Sequence, residues 1–338
     1  MRLETHSVLT NNLIIEIEEF LLRSVSKFNP LFSSPVWADR LRELIAFDYR
    51  YIIVRDDGEI IALHLVFHGY KGYTHVTKFP LYLRYILRKV LFFLCGYQTW
   101  HNFIVFKGNL DLLKLEQSKN LIYKNIESYG IRVTNSPIFD GDLSYFNDRN
   151  IHVSKWGTYI LNFYNKTYEE IHANYKRQAR RPIKQAKSKG VSIRRLKETD
   201  LKEYANWLLL NQKETGKNYV VSEKMIKKDL SFMRRSNYIG EIFVAYLDGD
   251  ILGSLGIWGF GNFVSENGVN ISSYAKKNKI YAQDMIKDEV VKYCLNNDIK
   301  YYDLSGFNPS INASSKEKSI NFFKKKFSGV KVLYDLIV

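Results

Sequence analysis

YYDLSGFNPSINASSKEKSINFFKKKFSG, residues 301–329, is the stretch on which the reading of this chain turns. Tyr301, Tyr302 and Leu304 are apolar and β-prone, which predicts a buried strand with Asp303 set among them. Ser305-Gly306 is expected to end that strand. Asn308-Pro309 then opens a loop, because a residue before proline is driven out of the helical region. A basic helix follows and closes on Phe322-Phe323-Lys324-Lys325-Lys326-Phe327, with Gly329 as its expected cap. A carboxylate at a strand end thus faces a loop of hydroxyls and amides, with three ammonium groups flanked by aromatics close behind. This arrangement suits an anionic substrate. It is also what a terminal strand and a helix with a solvated lysine face would look like.

The residues before this stretch repeat a pattern met earlier. IFVAYLDGDILGSLGIW (242–258) is a β-run, an Asp-Gly turn and a second β-run, and YIIVRDDGEIIALHLVF (51–67) has the same order. A helix and a strand come later in both halves, at ESYGIRVTNSPIF (127–139) and LNNDIKYYDLSGF (295–307). Two elements recurring in one order predict two copies of a single α/β module, a mixed (α+β) architecture with each sheet flanked by helices. Residues 135–155 are rich in Asn, Asp, Ser and Gly, which places the expected boundary between domains 1–150 and 151–338.

Other elements follow from local signals. Ser34-Pro35 predicts a helix start running to about residue 44. A strand is expected over 102–106, a helix over 110–129 and a strand over 131–134. The basic segment 173–197 is predicted as a helix broken or kinked near Pro182 and ending at Gly190, then a strand. Helices are expected at 201–212 and 223–235, and one long helix at 277–297. Residues 80–95 are amphipathic, basic and aromatic, fitting either a core-facing helix or a surface resting on a membrane.

The chain of 338 residues carries a net charge of +15, unevenly spread. Residues 1–150 hold 18 Lys and Arg against 16 Asp and Glu, whereas residues 151–338 hold 32 against 19. The basic excess lies in the second half, which implies a phosphate-bearing or otherwise anionic partner there. No targeting signal or confident membrane span is visible, so a cytoplasmic location is expected. Cys95 and Cys294 have no metal or disulfide spacing, and His64 and His68 lack a third ligand, so no metal is expected. Glycine-rich nucleotide loops and a G-x-S-x-G elbow are missing as well. Chemistry here is expected to rest on positioning and electrostatics, with no tightly bound cofactor.

The order of a basic helix ending in AKSKGVSIRR, a hairpin, a long helix and a closing YDLSG…NFFKKKFSG resembles the Fem family of aminoacyltransferases, which build peptidoglycan cross-bridges. It is similar more broadly to the related GNAT-fold acyltransferases. Trp37, preceded by Phe32 and Pro35, resembles the start of the first GNAT-like module in such proteins. The resemblance covers about residues 30–338 and implies two tandem GNAT-like domains. It implies amide formation, with an acyl group activated as a tRNA ester or a thioester and attacked by an amine of a peptidoglycan or surface-polysaccharide precursor.

The family's lysine after the closing Phe corresponds to Lys324 after Phe323, with Lys325 and Lys326 as neighbours that blur the assignment. Asp303 is a candidate base or a structural carboxylate. The family's basic residue that binds substrate diphosphate corresponds to Arg40 beside Trp37, although the family's lysine is missing there and its glutamine is replaced by Ser33. Asn308 and Tyr274 are further substrate-binding candidates. Gly268 to Gly306 contains no intervening glycine, so the pyrophosphate turn of acetyl-CoA-dependent enzymes is absent and Lys276, Lys277 and Lys279 stand in its place. Arg180, Arg181 and Lys184 are candidates for the phosphates of aminoacyl-tRNA, with acyl-CoA as the alternative donor. A non-catalytic RNA-binding or membrane-associated scaffold on the same fold is the competing reading.

Overall fold

The computed structural model describes the chain except residues 25–27, 46–47, 71–82, 84–85, 88–96, 128–135, 139–152, 217–220 and 338. The expected strand 131–134 and nearly all of the amphipathic segment 80–95 lie outside the described residues. Two compact units form: residues 1–156 with 334–338, and residues 157–333.

The first unit runs β1 (Arg2–His6), α1 (Asn11–Arg23), α2 (Pro35–Ile45), β2 (Asp48–Asp56), β3 (Glu59–Tyr70), β4 (Tyr97–Phe106), α3 (Leu112–Glu127) and the short β5 (Ser136–Ile138). Its antiparallel sheet has the order β1-β2-β3-β4. Ser34 caps α2 by accepting a hydrogen bond from the Trp37 amide at 3.2 Å, as Ser-Pro predicts. β2 alternates across the sheet. Ile52 and Val54 pack with Ile122 of α3, while Tyr51 and Ile53 are buried too and Tyr51 donates to the Ser33 carbonyl at 3.1 Å.

The second unit runs β6 (Val153–Asn162), α4 (Tyr168–Asn174), α5 (Arg177–Ser188), β7 (Ser192–Arg195), α6 (Leu201–Glu214), α7 (Glu223–Met233), β8 (Tyr238–Leu247), β9 (Asp250–Phe260), β10 (Phe263–Ile271), α8 (Ser273–Lys277), α9 (Ala282–Asn296), β11 (Tyr301–Phe307), α10 (Ser315–Lys325) and β12 (Val330–Ile337). Its sheet follows β12-β6-β11-β10-β9-β8-β7. α5 and α9 bury Ala179, Ile183, Ile286 and Val290 against one face. α6 and α7 bury Leu201, Leu208, Ile226 and Leu230 against the other.

The two hairpins match in detail. Asp57-Gly58 and Asp248-Gly249 all have positive φ (48°, 84°, 50° and 92°), the requirement of a two-residue type I′ turn. Both hairpins also shift register two residues before the turn's aspartate, at Arg55 and at Tyr246.

Four local expectations change. The basic helix is not broken at Pro182; α5 runs through it. Pro182 is the sixth of the twelve residues of α5, and the helix continues through it at the loss of the one bond its N–H would have given. The break comes at Tyr175-Lys176, where both residues are extended and the Lys176 amide donates to the Lys326 carbonyl at 2.9 Å. The long helix expected over 277–297 begins only at Ala282, as α9; the short α8 ends at Lys277, and Lys279 between them turns left-handed (φ 49°). Ser305-Gly306 does not end β11 but forms a bulge inside it. Gly329 is not the cap of α10: Ser328 takes the left-handed conformation (φ 59°), and a Cβ on Gly329 would lie 3.1 Å from the Ile160 carbonyl oxygen.

Candidate active site

β10 and β11 are the parallel pair of the second unit, and their register runs only from Phe263↔Tyr301 to Ser265↔Asp303. Both strands continue beyond that point, β10 to Ile271 and β11 to Phe307. Ser305 lies just past it with φ 63°, an unfavourable conformation for a residue carrying a Cβ. Four hydrogen bonds over-determine it. Its amide donates to Asp303 Oδ1 (2.7 Å) and its hydroxyl to the Glu266 main-chain carbonyl (2.8 Å). Its own carbonyl accepts from Thr158 Oγ1 (2.8 Å) and from Lys324 Nζ (2.9 Å).

Lys324 closes this arrangement. Its ammonium also donates to the Gly306 carbonyl at 2.7 Å, so the bulge presents two carbonyls to one side chain. The residue is 9% exposed, and burial lowers its pKa to about 8, against a smaller opposing pull from Asp303. The Ser305 and Gly306 carbonyls engage two of the three ammonium hydrogens. Asp303 is 8% exposed; it accepts from Thr158 Oγ1, from Ser265 Oγ (3.2 Å) and from the Ser305 amide. Burial raises its pKa, opposed by those hydrogen bonds and by Lys324.

The lysine run is sorted by packing. Lys324 and Lys326 are buried and Lys325 is exposed. Lys326 pairs with Asp284 of α9 and lies 3.9 Å from the centroid of the Phe323 ring. Burial raises the Asp284 pKa to about 6 even beside that cation, and it lowers the Lys326 pKa. Asn308 shapes the loop, donating to Glu317 Oε1 (3.1 Å) and accepting from the Ser310 amide (2.9 Å).

Three charged groups that the sequence did not single out, Glu266, Asp284 and Lys287, belong to the same cluster. Lys287 of α9, 1% exposed, pairs with Glu266 of β10, and Tyr302 donates to Glu266 Oε1 at 2.7 Å. Asp284, Lys287 and Asp288 share one buried stripe of α9 with Val291 and Cys294. Charges at core positions of a helical period were the signal available.

The remaining candidates are spread out. Arg180, Arg181 and Lys184 form an exposed basic face of α5, whose N-terminal residue Lys176 is bonded to Lys326. Lys276, Lys277, Lys279 and Tyr274 are exposed on and after α8. Trp37 and Arg40 lie in the first unit, with the guanidinium 4.7 Å from the indole centroid and Phe32 edge-on to the indole. Among the described residues, no three metal-ligating side chains converge, and no helix is long and apolar enough to cross a membrane.

No protein-family model and no curated protein matches the chain. Solved structures do. FemX superposes with a TM-score of 0.67 at 12% identity, over 99% of this chain and 97% of that one. L-PGS from Bacillus licheniformis gives 0.56 at 13%, over 96% and 90%. A tandem GNAT protein from the clavulanic acid biosynthesis pathway gives 0.52 at 8%, over 100% and 98%. The fold is therefore the Fem-like tandem GNAT fold.

Proposed function

On this Fem-like tandem GNAT fold, we propose that the second unit is an acyltransferase that forms an amide. It moves an amino acid or another acyl group from an activated ester to an amine of a cell-envelope precursor, in peptidoglycan or a surface polysaccharide. The observation that carries this reading is the Lys324 cradle: a buried ammonium, held by the Ser305 and Gly306 carbonyls where two parallel strands part.

Attack of a neutral amine on an acyl carbon builds an oxyanion, and a fixed cation in a desolvated site stabilises it without reorganising. With a pKa near 8, Lys324 is mostly charged at neutral pH and serves as that donor. Asp303 orients the bulge through Ser305 and Thr158. Expulsion of the donor's alcohol or thiol then completes the amide. Aminoacyl-tRNA is the donor this reading favours, its phosphates meeting Arg180, Arg181 and Lys184 and, further on, Lys276, Lys277 and Lys279. Trp37 and Arg40 of the first unit are assigned to the anionic part of the acceptor. In this reading the protein works in the cytoplasm, at times against the inner face of the membrane.

The test is to incubate the protein with envelope precursors and either charged tRNA or acyl-CoA, following products by mass spectrometry. Amide product from charged tRNA is expected, falling at least 100-fold in Lys324→Ala and unchanged in Lys325→Ala. Product only from acyl-CoA would reassign the donor. No product from either donor, with tRNA binding intact, would favour the scaffold and sink the catalytic reading.

A further inference from the structure

The cluster contains a buried ion pair that the proposed reaction does not use. Glu266 and Lys287 are each 2% exposed at the side chain, too deep to touch a substrate. Isolated buried charges are costly, and a well-packed apolar pair is often as stable as an ionic one, so the pair needs a reason to be there.

Its contacts reach both sides of the Lys324 cradle. On the strand side, the Glu266 main-chain carbonyl accepts from Ser305 Oγ, and its carboxylate accepts from Tyr302 of β11. Glu266 therefore ties β10 to β11 just where their ladder stops, and it holds the left-handed residue whose carbonyl accepts from Lys324. On the helix side, Lys287 Nζ lies 5.5 Å from the centroid of the Phe323 ring, which the Lys326 ammonium also approaches. Phe323 directly precedes Lys324 in α10. The pair's side chains thus link β11, through Tyr302, to the turn that carries the ammonium, through Phe323, while the Glu266 main chain makes the bond to Ser305.

We propose that Glu266 and Lys287 are positioning residues for Lys324, holding the β11 bulge and the last turn of α10 in register with each other. The proposal rests on the cradle geometry. Its link to catalysis rests on the acyltransferase reading, and the experiment below separates the two.

The groups facing the pair are Tyr302 and Asp303 from β11, Lys324 from α10, and Lys326 just beyond it. Lys324 in turn faces Asp303 and Lys287. Removing the cation should therefore raise the Lys324 midpoint, whereas removing the carboxylate should not, because an unpaired, buried Lys287 sheds its proton. The probe is NMR of the intact protein with labelled lysine, the Lys324 signal being assigned by its loss in Lys324→Arg. In Lys287→Met a like charge is lost, so the Lys324 midpoint rises by half a pH unit or more. In Glu266→Gln, Lys287 loses its counter-ion and, with burial already holding its pKa far below the ordinary lysine value, sheds its proton, so the Lys324 midpoint does not rise. The double variant carries no charge pair and is the version expected to keep its Tm if either single variant folds poorly. Its Lys324 signal should broaden or split as the cradle loses its single geometry.

A rise toward the ordinary lysine value in both single variants would mean general loosening, and it would overturn the proposal. An unchanged midpoint in both, with a sharp signal in the double variant, would overturn it too. These readings require no turnover. In the acyl-transfer assay, kcat should fall about tenfold in Lys287→Met with KM unchanged. If no substrate pair gives product, the functional reading fails while the titration still decides the positioning role.

Discussion

The two units are built on one plan and differ in what they bury. Each has a strand, two helices, a hairpin closed by a type I′ Asp-Gly turn, a further antiparallel strand and a helix. Among the described residues of the first unit, the buried polar groups are Asn29, Ser33, Ser34, His64 and Ser118, and none carries a fixed charge. Its main ion-pair knot, Arg55 with Glu4 and Glu16, sits at the rim. The second unit buries Glu266, Asp284, Lys287, Asp288, Asp303, Lys324 and Lys326. The described part of the first unit therefore keeps its core free of fixed charge, whereas the second unit places seven charged side chains in its interior.

The contrast predicts a graded set of effects. The largest is on turnover: Ser305→Ala removes the hydroxyl that ties the bulge to Glu266, and acyl transfer should drop roughly tenfold to a hundredfold. Arg55→Met, which breaks an ion pair of the first unit, should leave turnover unchanged. Equal losses from both would remove the distinction between the units.

Next in size are the ion pairs. Lys326→Met strands the Asp284 carboxylate in the interior and should cost about 3–5 kcal/mol in denaturant unfolding. Arg55→Met acts on a partly exposed pair and should cost about 1 kcal/mol. A loss below about 1 kcal/mol for Lys326→Met would show that its pair with Asp284 is not a buried charge pair in solution.

The titrations have opposite signs. Burial depresses the His64 pKa to about 3, against an ordinary value near 6.5. Below pH 6.5 the unfolded chain takes a proton that the folded one refuses, so the first unit loses stability as pH falls toward 3. The slope is at most about 1.4 kcal/mol per pH unit. His64→Leu should flatten that slope. Asp284 is raised from the usual carboxylate range to about 6, so between about 4 and 6 the folded state holds a proton that the unfolded state releases. Its contribution to stability therefore declines as pH rises through that window, and Asp284→Asn should remove the decline. Tm measured against pH for each variant checks both signs.

The smallest effect should be equal in the two units. Gly58 and Gly249 have no atom within 4 Å of a built Cβ, so alanine at either meets only the cost of positive φ. About 1 kcal/mol is expected for each in thermal unfolding. Unequal costs would show that the two turns, though alike in dihedral angles, differ in strain.

Much of this was legible in the residues. Period-two β-runs around Asp-Gly announce hairpins because strand alternation and turn dihedrals are local properties. The Phe-Lys run after an Asn-Pro loop marks the part of the chain where the buried Lys324 lies. The bulge at Ser305 was not legible, since Ser-Gly normally terminates a strand and nothing local shows three hydrogen bonds arriving from other elements. Lys287 and Glu266 passed unnoticed because their partners are 21 residues apart in sequence, on a helix and on a strand.

By itself, then, the sequence determined the repeated module, its turns and the concentration of cations near the end of the second copy. These depend on periodicity and backbone preference, which neighbouring residues settle among themselves. Only the tertiary structure decided which lysines of Lys324-Lys325-Lys326 are buried and which faces water. That choice depends on where α10 meets the parting of β10 and β11, and on carbonyls turned out of their ladder by a residue held at positive φ.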